Sequence, residues 1–123
     1  MAEILYKELS YQVVGAAMEV HRLLGGGFLE KVYQVSLAHE LRLRQVPHEQ
    51  YKVLPVYYKD LLVGQYEADF VIADRIIVEI KAVSQFHARH EAQARNYLAA
   101  TRLRLAILLN FGAESLQQKR VVR

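Results

Sequence analysis

The sequence predicts an α/β fold in which a mixed sheet is covered by helices. Three observations carry this. Two amphipathic helical segments open the chain, three β-rich segments follow at short spacing, and a further helix precedes one last apolar strand. Consecutive strands with tight turns form an antiparallel meander. A helix between the third and fourth strands is a crossover that returns the chain parallel to a partner strand.

Residues 3–24 read as the first helix, because Leu5, Leu9, Val13, Ala17, Val20 and Leu24 recur at three- and four-residue spacing. Gly25-Gly26-Gly27 breaks it. The second helix is expected from about Phe28 to Arg44, with Leu29, Val32, Tyr33, Leu37 and Leu41 as its apolar stripe. Two helices joined by a short glycine turn form a packed pair. Pro47 ends the helical part, and residues 50–58 are rich in β-formers. Pro55 within that run points to an edge strand or a bulge. Lys59-Asp60 reads as a turn, residues 62–72 as the second strand and 75–81 as the third. A helix over about 86–101 and the strand Leu103–Phe111 follow, and Gly112 ends that strand. The polar tail adds at most a short edge strand at Val121-Val122.

Composition narrows the function classes. At 123 residues, 53% hydrophobic and 24% charged, the chain is expected to be one domain over 1–123. Without cysteine there are no disulfides and no thiolate metal sites, which fits a reducing compartment. No apolar run is long enough to cross a bilayer, so no membrane partner is expected. Residues Met1 to Lys7 lack the basic start and apolar middle of a signal peptide, and the expected location is cytoplasmic. A net charge of +3 permits a polyanionic partner without requiring one.

The candidate chemistry lies in the pattern Asp69-x9-Glu79-x-Lys81. Charges in a strand as apolar as Ile76-Ile77-Val78-Glu79-Ile80-Lys81 are costly unless paired or bound to a metal. Alternation puts Glu79 and Lys81 on one face with Ile77, while Ile76, Val78 and Ile80 face the other way. Whether Asp69 joins Glu79 depends on the turn. A two-residue loop at Ala73-Asp74 pairs Asp69 with Val78, whereas a three-residue loop through Arg75 pairs it with Glu79. Two opposed carboxylates repel unless a cation lies between them, and oxygen ligands without cysteine favour Mg²⁺ or Mn²⁺. The ordinary alternative is ladder pairing on a solvated face, and Glu-x-Lys by itself fits that better.

Gln93 and Tyr97 share a face of the third helix, with Arg89 one turn earlier. They are candidates to orient water, hydrogen-bond a carboxylate or contact phosphate; singly, each reads more simply as a surface or core-edge residue. Glu30 is either a first-turn carboxylate complementing the helix dipole or a third acidic group at the site. His87 and His90 lack a third nitrogen ligand for zinc and read as incidental, or at most as phosphate contacts.

Taken in order, these residues resemble a known family. Gly27-Phe28-Leu29-Glu30-Lys31-Val32-Tyr33 matches the signature of the GxxExxY family of small prokaryotic proteins. Tyr66-Glu67-Ala68-Asp69-Phe70, Ile77-Val78-Glu79-Ile80-Lys81-Ala82, His90-Glu91-Ala92-Gln93, Asn96-Tyr97-Leu98 and Leu108-Leu109-Asn110-Phe111-Gly112 follow in its order. That family resembles a branch of the PD-(D/E)XK, or restriction-endonuclease-like, nuclease superfamily.

The resemblance implies an αβββαβ core with an extra N-terminal helix. It implies Mg²⁺ or Mn²⁺ held by Asp69, Glu79 and the backbone carbonyl of Ile80. It also implies catalytic roles for Glu30, Asp69, Glu79, Lys81 and Gln93, and nucleic-acid contacts by Arg89 and Tyr97. The implied substrate is DNA ahead of RNA. Ala68 replaces the proline that names the superfamily. The domain has no recognisable sequence-reading module, so specificity would come from substrate structure, a homodimer or a partner protein. The rival expectations are a non-catalytic nucleic-acid- or protein-binding module that retains the nuclease fold, and an interaction protein whose acidic residues lie on opposite sheet faces.

Overall fold

A computed structural model describes residues 4–123. Three helices and five strands follow in the order α1 (Lys7–Leu24), α2 (Glu30–Leu43), β1 (His48–Tyr58), β2 (Leu61–Ile72), β3 (Ile76–Lys81), α3 (Ala88–Thr101), β4 (Leu105–Asn110) and β5 (Gln117–Val122). The expected start of the first helix at Glu3 lies outside the described residues. The strands lie in sequence order, with β1, β2 and β3 antiparallel, β4 parallel to β3, and β5 antiparallel to β4. This is the expected mixed sheet: α3 is the crossover and β1, carrying Pro55, is an edge strand.

Two apolar layers sandwich the sheet. On one side α1 and α2 bury Val13, Ala17, Tyr33, Leu37 and Leu41 against Phe70, Ile76, Val78 and Ile80. On the other, Ala94, Tyr97 and Leu98 of α3 cover Ile77, Ala106 and Leu108. The stripe of α2 departs from expectation. Leu29 is 79% exposed and Val32 is also exposed, and the buried face is Tyr33, Gln34, Leu37, Ala38 and Leu41. The helix starts at Glu30 rather than Phe28, which turns Leu29 outward as the N-cap. Tyr33 closes the glycine turn: its hydroxyl donates to Gly25 C=O at 2.6 Å and accepts from Phe28 N–H at 3.1 Å. The tail is also more ordered than expected, because β5 is six residues long and Arg120 ties it to Leu5 C=O and Ser10 Oγ of the α1 end.

Two irregularities position the site. The first is the β2–β3 turn, where Ala73 and Asp74 have φ of 49° and 57° and Arg75 N–H donates to Ile72 C=O at 2.9 Å. Arg75 is then an extra residue, so Ile72 pairs with Ile76, Val71 with Ile77 and Phe70 with Val78. This is the three-residue register that brings Asp69 opposite Glu79.

The second lies between β1 and β2. Tyr51 has φ of 52°, in the left-handed region, and the ladder skips from Gln50–Phe70 to Lys52–Ala68. Gln50 and Phe70 face the α1/α2 layer, whereas Leu54, Ala68 and Tyr66 face α3. Alternation alone would keep them all on one face. Tyr51 and Asp69 are thus left unpaired opposite one another where both strands turn over together, and the register is the same from His48–Ile72 to Val56–Gly64.

Candidate active site

Asp69 sits at this crossing and is partly exposed. Freed from pairing with Tyr51, its backbone turns to other partners. Its C=O accepts from Gln34 Nε2 of α2 at 3.3 Å, and its N–H donates to Glu79 Oε1 at 3.3 Å. Its carboxylate Oδ2 accepts from Ile80 N–H at 2.7 Å. Beyond Phe70–Val78, carboxylates thus replace backbone groups in joining β2 to β3. The N–H and C=O of one strand residue point to the same side, so the Ile80 carbonyl also faces Asp69.

Glu79 is 4% exposed beneath α3. Burial, then the charge and hydrogen bonding of Asp69, push its carboxyl up to about 9, against a smaller opposing effect of Lys81. The solvated-face alternative does not hold for this residue. Lys81 lies at the end of β3, partly exposed, and donates to Gln93 Oε1 at 3.3 Å. Gln93 therefore meets the lysine, a contact that spacing could not indicate. Tyr97, one turn on and 6% exposed, is raised to about 12 by burial and then by Glu79 and Asp69. Glu30 is exposed at the start of α2, and burial and Asp69 raise its carboxyl while Lys81 lowers it. It belongs to the same electrostatic neighbourhood without touching the pair.

Arg89 is exposed in the first turn of α3. His87 and His90, read from sequence as incidental, cap that helix. His87 Nδ1 accepts from Arg89 N–H at 3.1 Å, and His90 Nδ1 accepts from His87 N–H at 3.0 Å. This is a capping box made of imidazoles in place of hydroxyl and carboxylate.

Sequence reasoning gave no site role to four contributors. Gln34 is 3% exposed, and its Oε1 accepts from Gln50 Nε2 at 2.7 Å while its amide nitrogen holds the Asp69 carbonyl. Its signal was a polar residue four positions after Glu30, inside an otherwise apolar stripe. Asn110, fully buried, bonds both backbone groups of Val83 at 2.9 Å and fixes the segment leaving Lys81. A Cβ on Gly112 would stand 2.5 Å from the Val83 backbone, so only glycine fits beside that segment. Tyr51 gave no signal, because tyrosine has no preference for the left-handed conformation.

Among the described residues, no three His, Asp or Glu side chains converge as a ready-made metal cage. Two close carboxylates and a carbonyl facing them form a sparse, all-oxygen donor set. Magnesium is usually bound through one or two carboxylates, with waters and substrate phosphates completing its shell. The residues present fit such an ion.

Comparison with known proteins agrees with this fold. A family model described as the PD-(D/E)XK nuclease superfamily matches residues 7–122, and the chain belongs to that superfamily. Two solved structures share the fold. The crystal structure of SSO0001 aligns with a TM-score of 0.63 at 18% identity, covering 96% of this chain and 58% of that one. This chain thus spans less than two thirds of that relative. An alkaline exonuclease from Laribacter hongkongensis aligns with a TM-score of 0.56 at 11% identity, covering 100% of this chain and 72% of that one. No curated protein matches the chain.

Proposed function

We propose that this chain is a Mg²⁺- or Mn²⁺-dependent nuclease of the GxxExxY branch that hydrolyses phosphodiester bonds in DNA. The observation that carries the reading is the Asp69–Glu79 contact. A carboxyl 4% exposed within the field of a second carboxylate is an arrangement that a divalent cation stabilises and that folding alone disfavours. The exonuclease among the structural neighbours is consistent with nuclease chemistry on this fold.

Asp69, Glu79 and the Ile80 carbonyl are the groups that would hold the ion. When bound, it would supply positive charge at the phosphate and acidify a water. The chain's own residues do the rest. The Lys81 ammonium, steadied by Gln93 Oε1, faces the site and offsets negative charge developing on the phosphate. Lys81, with Gln93, positions and helps deprotonate the attacking water, and Glu30, whose carboxyl is raised, is the further acidic group of the site. Water adds to phosphorus, the ester P–O bond breaks, and the departing alkoxide takes up a proton. Arg89, exposed at the helix start, binds a neighbouring phosphate, and Tyr97 borders the same face. RNA is the secondary substrate, and a homodimer or partner protein would add specificity. A cytoplasmic location is part of the same proposal.

Purified protein with Mg²⁺ or Mn²⁺ is expected to degrade linear DNA and to lose that activity in EDTA. Asp69→Ala or Glu79→Ala should lower the rate at least about 100-fold, since each removes a carboxylate that would hold the ion acting on the phosphate. Cleavage at the wild-type rate by either variant would refute the assignment. The second reading, a binding module that keeps the fold, predicts DNA affinity in EDTA with no Mn²⁺ heat in calorimetry. The proton held by Glu79 speaks against it, because a binding module gains nothing from a buried acid pair.

A further inference from the structure

We propose that the cleft between the β1–β2 ribbon and the C-terminal half of α3 is a subsite for an unpaired DNA strand. This rests on the nuclease reading above and names the form of its substrate. The cleft holds about 490 Å³ and is lined by Tyr57, Tyr66, Asn96 and Arg102 among others. That volume suits a nucleotide-sized ligand.

The lining has the three chemistries a single strand needs. Tyr57 and Tyr66 are 62% and 42% exposed, so both offer ring surface to a base. Asn96 is exposed and offers an amide donor and acceptor to a base edge. Arg102 is exposed, and its guanidinium makes no ion pair among the described residues, which leaves it for a phosphate. Its backbone carries a further sign. Arg102 closes α3 with φ of 62°, a position that glycine fills without strain. The chain instead places there a long cation directed to the cleft.

The cleft lies on the same helix, α3, that carries Gln93 and Tyr97. The rings of Tyr66 and Tyr97 lie 5.1 Å apart, and Tyr97 lies within the field of the Glu79 and Asp69 charges. Along α3, Gln93 at Lys81 and Arg102 at the cleft are separated by about 13 Å. A strand crossing the site can therefore reach both. A paired duplex does not fit this description, because its base faces are covered by stacked neighbours. An unpaired base has a free face to lay on tyrosine.

The test is equilibrium binding of a fluorescein-labelled 20-nucleotide single strand and of the corresponding blunt duplex, measured in EDTA over a salt series. The wild-type protein should bind the single strand more tightly. Tyr57→Ala should weaken single-strand binding about 5-fold or more, with little change for the duplex. Arg102→Ala should also lower the magnitude of the single-strand salt slope by about 0.7, the value for one phosphate contact. Both residues are exposed, so unchanged thermal midpoints verify folding. Wild-type affinity in both variants, or equal losses on duplex and single strand, would overturn the subsite. Mg²⁺-dependent cleavage lost in Asp69→Ala would still uphold the nuclease reading in that event. Wild-type protein that neither binds nor cuts DNA would overturn both.

Discussion

With 4% of its surface exposed and Asp69 against it, Glu79 keeps its proton up to about 9, while an unfolded glutamic acid releases it near 4.5. The folded state therefore binds more protons between these values, and stability falls as pH rises through the window. In metal-free protein the thermal midpoint should be highest near the acid end of this window and decline toward pH 9. Glu79→Gln should flatten the decline. At the proposed metal site Mn²⁺ would compete with the proton, so its stabilisation should grow with pH, and calorimetric scans with and without the ion check this. A midpoint that is independent of pH in the wild type would contradict the buried, protonated state. The costliness of a charge at Glu79 was legible in the sequence, because an apolar strand surrounds it. Its dependence on Asp69 was legible only as a condition on the turn. The hold of Gln34 on Asp69 was not, since a single polar residue on a helix does not say what it faces.

At the scale of the element, α3 shows how a local device serves the site. Its histidine capping box requires both Nδ1 atoms unprotonated as acceptors. Burial, then the charges of Lys81, Arg89 and His87, lower the pKa of His90 below its ordinary value. Such a group contributes stability that is present above its unfolded pKa and lost as pH falls. His90→Ala should cost about 1 kcal/mol at pH 8, by analogy with other cap deletions, and less at pH 5. Chemical denaturation at the two pH values measures the difference. An equal cost at both would assign the histidine a packing role only. The helix itself was plain from its period. Its cap was not, because histidines do not belong to the usual set of capping residues.

At the scale of the whole molecule, the order of elements was legible because helical and strand periods alternate cleanly along the chain. Face assignment was less so. Reading the β1–β2 pair at period two carries Tyr66 and Phe70 to the same layer, whereas one packs on α3 and the other beneath α2. Both layers share the same sheet, so residues 1–123 are expected to unfold as one unit. Far-ultraviolet dichroism and tyrosine fluorescence should report coincident urea transitions, and separated midpoints would indicate independent parts. The facing unpaired residues Tyr51 and Asp69 carry a consequence for how such a chain can change length. Removing one residue from either strand alone would slide every pair beyond it and point the ribbon's tyrosines away from α3. Deletion of both would restore the pairing but remove the Asp69 carboxylate itself. Among homologues, gaps at these two places should therefore occur together or not at all, a covariation in length rather than in residue identity.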